Sequence, residues 1–259
     1  MSTFDAAAAA RFIADAHLAR RPYVNLPEHL APQTVADAYA AQEALRAHWT
    51  PIYGPVGGLK IATTTKVMQA LMGIDHPCGG MLYSKRIHRS GVTLKLADHM
   101  HLVLECELAV RVSRTLTKGT LPYTAQSVRD AVSEVMPAFE LIEDRNAHYK
   151  STKAYTLIAD NAWNAGIVLG PAVKVEAKRN LNGLKGRLTI NGADPREGLT
   201  DDPMEALAWC ANLAADRGRP LEAGQIVITG SVVPTFGVAA GDKIHFELEG
   251  IGAVEATVA

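Results

Sequence analysis

The stretch His101-Leu-Val-Leu-Glu-Cys-Glu-Leu-Ala-Val-Arg-Val112 holds the residue types best suited to chemistry. Side chains alternate along a strand, so Leu104, Cys106, Leu108, Val110 and Val112 share an apolar face while Glu105 and Glu107 share the other. Two neighbouring carboxylates repel, and in a partly buried site they persist when a cation or a proton neutralises them; oxygen ligands of this kind suit magnesium or manganese. The plainer alternative is a half-solvated strand whose glutamates face water. Glu140 lies in a second apolar segment, Pro137-Ala-Phe-Glu-Leu-Ile142, where its neighbours predict a buried strand and the glutamate needs a partner. If the two strands approach, Glu105, Glu107 and Glu140 form a three-carboxylate set with open positions for water and substrate. Lys60, within Gly57-Gly-Leu-Lys-Ile-Ala62, is either a desolvated acid/base group or a charge that blocks pairing at a sheet edge.

Other groups carry less. His99-x-His101 has strand spacing for a metal but no cysteine or third histidine nearby, and reads as a solvated pair; His76 and His148 sit in loops from which either could reach a substrate. Arg145 could bind a carboxylate through its fork of donors or pair with Glu143 or Asp144. Cys106 reads as core. The absence of a G-x-S-x-G elbow, a phosphate loop or a dinucleotide fingerprint disfavours a serine hydrolase or nucleotide enzyme. The 26 basic residues nearly balance the 27 acidic ones, so no overall field points to nucleic acid or an anionic membrane. Three cysteines without a C-x-x-C pair argue against a disulfide framework and fit a reducing compartment. Charges interrupt the alanine-rich N-terminus and no apolar run reaches 18 residues; a cytoplasmic protein without a membrane span is expected.

The elements that must position these groups can be read from periodicity. Helical spacing covers Phe4 to Arg20, then Thr34 to Trp49 with Thr34 as N-cap and Pro51 and Gly54 as its end, then Thr65 to Met72 before Gly73. From Thr93 onward the texture is β-rich: Thr93 to Leu96, Leu102 to Val112, Ala138 to Ile142, Gly166 to Leu169, Arg187 to Ile190, Gln225 to Thr229, Lys243 to Leu248 and Ala253 to Val258. Two helices interrupt it, predicted over Ser127 to Met136 and Pro203 to Arg217. The pattern is α+β rather than regular βαβ alternation, with any boundary near residue 80 joining packed subdomains.

An ordered set of short motifs resembles one family. Glycine-x-lysine at residue 60, Gly73 to Gly80 in the form Gly-Ile-Asp-x-Pro-x-x-Gly, Glu105-x-Glu107, Phe139-Glu140 followed by Arg145, Ala159-Asp160-Asn161, Thr229-Gly-Ser231 and Gly241-Asp242 together are similar to the hydratase/decarboxylase branch of the fumarylacetoacetate hydrolase superfamily. The resemblance implies a mixed β-roll core over residues 81–259 with a smaller N-terminal α/β subdomain over residues 1–80. It implies Mg2+ or Mn2+ held by Glu105, Glu107 and Glu140, Lys60 as acid/base residue, and contacts to substrate from Arg145, Asn161 and Ser231. The implied substrate is a small 2-oxo or 2-hydroxydienoic acid from the meta-cleavage degradation of aromatic compounds. The implied reaction is addition of water to a 2-hydroxy-2,4-dienoate, with decarboxylation of a 2-oxo-3-hexenedioate, acylpyruvate hydrolysis or a non-catalytic 2-oxo-acid binding subunit as alternatives. A homo-oligomer is expected because the N-terminal amphipathic helix must cover something, and a pathway enzyme is a further potential partner.

The chain also departs from that pattern. Where many hydratases read Pro-Asp-Phe-Gly it reads Pro77-Cys-Gly-Gly80, and Cys78 cannot act as a carboxylate base; Asp75 is the acidic residue left to activate water. Trp163 and Asn164 stand where small residues are usual, so the pocket should differ in shape. The run Ser231-Val-Val-Pro234 resembles hydratases more than decarboxylases.

Overall fold

The computed structural model describes residues 4–119, 122–176 and 178–259. Helix α1 (Ala6–Leu18) starts where the Asp5 carboxylate accepts the Ala8 N–H at 2.9 Å, and it buries Ala9, Ala10, Ile13 and Ala14. Helix α2 (Val35–Tyr53) opens on a capping box between Thr34 and Asp37. It continues past Pro51, the predicted stop, because one missing donor in the last turn does not end a helix anchored by buried Leu45 and Trp49; Gly54, at φ +82°, ends it. Strand β1 (Val56–Ala62) leads to α3 (Lys66–Met72), capped by Thr65 and closed by left-handed Gly73.

Next come β2 (Cys78–Tyr83), β3 (Ile87–Arg89), β4 (Val92–Leu94) and β5 (Leu102–Val112). The middle of the chain holds α4 (Ala125–Val128), β6 (Val132–Glu143), α5 (Ala154–Ala159), β7 (Asn164–Leu169), β8 (Val173–Lys174), β9 (Lys185–Ile190) and β10 (Arg196–Leu199). It finishes with α6 (Pro203–Asp216), β11 (Ile226–Gly237), β12 (Lys243–Leu248) and β13 (Gly252–Val258). One mixed sheet runs β2-β1-β11-β5-β6-β7-β3, with β8 against β6; a second runs β10-β9-β12-β13-β4. This is the expected α+β class, built on a curled mixed sheet.

The main core lies on one face of β5 and β6. Leu104, Cys106, Leu108, Val110, Phe139 and Leu141 share a buried cluster with Phe246 and Val254 of the second sheet and Leu207 of α6. Strand alternation then turns Glu105, Glu107 and Glu140 to the opposite face.

One expectation needs correction. The helix predicted over Ser127 to Met136 is only the single turn α4; Val132 to Met136 enter β6, where Val135 and Met136 are buried opposite Val110 and Ala109, and β-branched side chains suit that paired surface. Strand β2 passes through Gly79-Gly80. A Cβ on Gly80 would lie 2.7 Å from the Asn161 carbonyl oxygen, so glycine is what lets the strand approach. Finally, the division expected at residue 80 falls inside β2. Strand β1 pairs in parallel with β11 in the same sheet, so the N-terminal residues pack into the sheet of the core. Among the described residues no helix is long and apolar enough to cross a membrane.

Candidate active site

Antiparallel pairing of β5 with β6 puts Glu105 directly opposite Glu140, and pairing of β5 with β11 puts Glu107 opposite Ser231. One carboxylate oxygen from each of Glu105, Glu107 and Glu140 lies within 4.8 Å of the others. Glu107 and Glu140 are fully buried. From β1, Lys60 Nζ sits 2.9 Å from Glu140 Oε1, and Asn164 Nδ2 donates to the same oxygen at 2.9 Å. A register shift in β11 between Ile228 and Ser231, centred on Gly230 at φ +112°, aims the Gly230 N–H at Glu107 Oε2, 2.6 Å away. Thr235 Oγ1 donates to Glu105.

Charge is unbalanced. Burial, then the carboxylates of Glu140 and Glu105, push the Glu107 carboxyl well above its ordinary range. Burial also raises Glu140, with Lys60 opposing. Burial alone would lower Lys60, but Glu140, Glu105 and Glu107 outweigh it and hold the ammonium above the usual lysine value. Glu107 Oε1 and Glu140 Oε2 are buried without any hydrogen-bond partner. Two orphaned oxygens in an all-oxygen donor set, with one ammonium against three carboxylates, fit a hard divalent cation.

The cluster lies at the floor of a cavity of about 430 Å³ to which Lys60 and Glu105 contribute. Hydroxyl groups of Thr63, Thr64 and Ser231 line part of it, and Met68, Ile142, Leu157 and Trp163 another part. A smaller cavity of about 130 Å³ is lined by His17, Arg86, Arg145 and Asn164 among others.

Residues 71–259 match the fumarylacetoacetate (FAA) hydrolase C-terminal family. The chain belongs to that family. It is 30% identical to 2-keto-4-pentenoate hydratase 2 of Dechloromonas aromatica (strain RCB), over 97% of each chain. It is 28% identical to a 4-oxalocrotonate decarboxylase of Pseudomonas putida, over 96% of this chain and 95% of that one. Among solved structures, 4-oxalocrotonate decarboxylase from Pseudomonas putida G7, complexed with magnesium and adipate, superposes with a TM-score of 0.88 at 26% identity, covering 98% of this chain and 97% of that one. In this FAA hydrolase family member the matched region contains the three glutamates, while Lys60 lies before it.

Of the candidates named from sequence, Lys60, Glu105, Glu107, Glu140 and Ser231 lie together in the structure. Ser231 lies at the cavity, its Oγ donating to the Val233 carbonyl at 2.5 Å. Three other candidates do not converge. Arg145 is buried against Asp160, Nη2 to Oδ2 at 2.5 Å, and donates to the Arg21 carbonyl, so the pairing is structural and made with neither of the acids next to it in sequence. Asn161 clamps the backbone of β2, accepting the Met81 N–H at 2.6 Å and donating to the Met81 carbonyl at 2.9 Å, and does not line the larger cavity. Asp75 is exposed in the turn after α3, outside the cavity lining. Cys78 is buried beneath Thr63, Sγ to Oγ1 at 3.3 Å, and burial pushes its thiol up.

Sequence reasoning missed Asn164, Gly230 and Thr235 as partners of the glutamates, and the backbone that aims Asn164. Asn161, Ala162 and Trp163 follow one another at φ +53°, +46° and +58°, a left-handed turn that costs roughly 1–2 kcal/mol per non-glycine residue. Packing holds it: Trp163 meets Tyr23 and Tyr149 edge-on at 5.0 and 5.3 Å. Asparagine tolerates this conformation and is a weak signal for it; Ala162 and Trp163 carry none.

Proposed function

We propose that this protein is a divalent-metal-dependent hydro-lyase that adds water to a 2-hydroxy-2,4-dienoate (a 2-oxo-4-enoate in its keto form) to give a 4-hydroxy-2-oxo acid in the meta-cleavage degradation of aromatic compounds. The observation that carries it is the pair of unpartnered buried oxygens on Glu107 and Glu140, beside Lys60, at the floor of a ligand-sized cavity. Glu105, Glu107 and Glu140 would hold Mg2+ or Mn2+. When bound, such an ion supplies Lewis-acid stabilisation of negative charge developing on the 2-oxo oxygen. Lys60 Nζ, kept protonated by the glutamates, donates a proton to the carbon chain and takes one back. The Thr64 hydroxyl is a neutral group facing the oxo acid, the Thr63 and Ser231 hydroxyls, which donate to the Ala62 and Val233 carbonyls, can accept from water, and the apolar wall excludes bulk solvent from the dienoate. The hydratase and decarboxylase names of its relatives support lyase chemistry.

Decarboxylation of a 2-oxo-3-hexenedioate is the second reading. It is favoured by one observation: Cys78 is buried and Asp75 exposed, so neither offers the cavity a carboxylate to activate water. Offering 2-hydroxypenta-2,4-dienoate and 2-oxo-3-hexenedioate in parallel with Mg2+ or Mn2+, and recording absorbance and carbon dioxide, separates the two. Loss of dienoate absorbance without gas, abolished in Lys60→Ala, is the expected result; gas from the dioate alone would establish the second reading.

The same reading makes the protein a cytoplasmic homo-oligomer that can associate with a pathway enzyme. Val67 and Leu71 on the outer face of α3 are 77% and 42% exposed, apolar surface that a second subunit would cover. Light scattering of the purified protein, expected to give more than one chain's mass of 27.7 kDa, tests it.

A further inference from the structure

Catalysis by the three glutamates and Lys60 fixes one end of a substrate, and the remainder of the cavity speaks to the other end. Met72, Ile142, Leu157, Ala162 and Trp163 belong to a single apolar cluster, with Met68 packed against it, and all six line the cavity. Among the described lining residues Lys60 is the only cation, and it is already engaged by Glu140. Two polar lining groups sit at the glutamate end: Thr235 donates to Glu105, and Thr64 lies beside Gly230, whose N–H serves Glu107; the Thr65 hydroxyl is engaged as the cap of α3, accepting the Met68 N–H. At the apolar wall the Tyr149 hydroxyl is spent on Asp144, to which it donates at 2.9 Å. Arg145, the guanidinium that sequence offers for a second carboxylate, is held by Asp160 outside this cavity.

From this arrangement, and resting on the reading that the site binds a 2-oxo acid through its glutamate end, we infer that the protein selects substrates whose far end is an uncharged apolar group and rejects those ending in a second carboxylate. A carboxylate against Met68, Ile142 and Leu157 would lose its hydration with no cation in return and with a single unpartnered donor beside it, the buried Trp163 indole N–H, which is too little to replace the water around a charge, whereas an alkyl or aryl group there removes apolar surface from water. The cavity of about 430 Å³ lies in the range of pockets that enclose drug-sized ligands, so the tail can be larger than the two-carbon end of a pentadienoate. The residues that set this selectivity are Met68 and Met72 on α3, Ile142 at the end of β6, and Trp163 on the left-handed turn. Methionine side chains adapt to tails of different shape.

Isothermal titration of the Mg2+-loaded protein with saturated 2-oxo acids, which lack the double bond that takes up water, reads binding apart from turnover. The probes are 2-oxohexanoate, 2-oxoadipate of the same chain length, and 2-oxo-4-phenylbutanoate. The expected result is roughly tenfold or more tighter binding of 2-oxohexanoate than of 2-oxoadipate, with the phenyl acid at least equal to 2-oxohexanoate. Met68→Arg, which places a guanidinium on the apolar wall, should narrow or reverse the preference. Equal or tighter binding of 2-oxoadipate by the unaltered protein would overturn the inference while leaving the site's 2-oxo-acid chemistry intact. Binding of none of the three would overturn both.

Discussion

Glu107 is the residue on which the site's energetics turn. It is fully buried, one oxygen takes the Gly230 N–H and the other has no partner, and Glu105 and Glu140 face it with like charge. Groups whose folded pKa lies above the ordinary carboxylate value of 4.5 stabilise the fold below that value and lose the contribution as pH rises through the folded pKa. Metal-free protein should therefore show a Tm that falls as pH rises above 4.5, and added Mg2+ should flatten the fall; a metal-free Tm that climbs with pH across that window would contradict the assignment. Glu107→Gln should raise the metal-free Tm by relieving repulsion and abolish the gain in Tm on adding Mg2+. At this scale the sequence was informative where strand alternation applies: Glu105 and Glu107 on one face and Cys106 in the core follow from period two. It was silent about Asn164 and Gly230, because their donors are aimed by a left-handed turn and a bulge that no side-chain pattern encodes.

Backbone irregularities are the element-scale counterpart. Gly230 at φ +112° lies where a side chain is strained, and its N–H is fixed on Glu107. Gly230→Ala should weaken Mg2+ affinity roughly 10- to 100-fold, the usual effect of disturbing a group that orients a metal ligand, as read by calorimetry. Ala162→Gly should do the reverse for stability, gaining about 1 kcal/mol in denaturant unfolding by relieving φ +46°. The end of β6 gives a third test. Glu143 accepts the Met100, His101 and Arg145 N–H groups at 2.8, 2.9 and 3.1 Å; burial would raise its carboxyl, but His99 and these amides hold it at about 2. Its stabilisation is intact above 4.5 and lost as pH falls toward 2, so Glu143→Gln should flatten the acid limb of the Tm profile. The predicted helix over Ser127 to Met136 failed on the same level: Val132 and Val135 satisfy a helical spacing, but pairing with Val112 and Val110 decides them.

Across the whole molecule, the site is assembled from segments that sequence leaves far apart. Lys60 on β1 reaches Glu140 on β6 across β11 and β5, which lie between their strands in the curled sheet. Local periodicity finds most of these strands, yet strand order is non-local and spacing does not encode it; the family resemblance implies a mixed β-roll core and no more. The N-terminal part is tied in by His17 on α1, 2.6 Å from Asp160, the same carboxylate that holds Arg145. Burial would raise Asp160, but His17 and Arg145 hold it below its ordinary value. A fragment of residues 81–259 lacks β1, the neighbour of β11, and most of that apolar packing, so it should be unfolded by circular dichroism and lack a cooperative melt. A cooperatively folded fragment would show that the division expected near residue 80 is a true domain boundary.

The proposed function rests on a divalent cation at Glu105, Glu107 and Glu140 working with Lys60 on a dienoate. The most direct measurement is the rate of loss of 2-hydroxypenta-2,4-dienoate absorbance by protein stripped with a chelator, before and after restoring Mg2+ or Mn2+. The account predicts no turnover in the stripped protein and recovery to the original rate with either ion, without carbon dioxide release. Undiminished turnover by the stripped protein, or none after metal is restored, would contradict it.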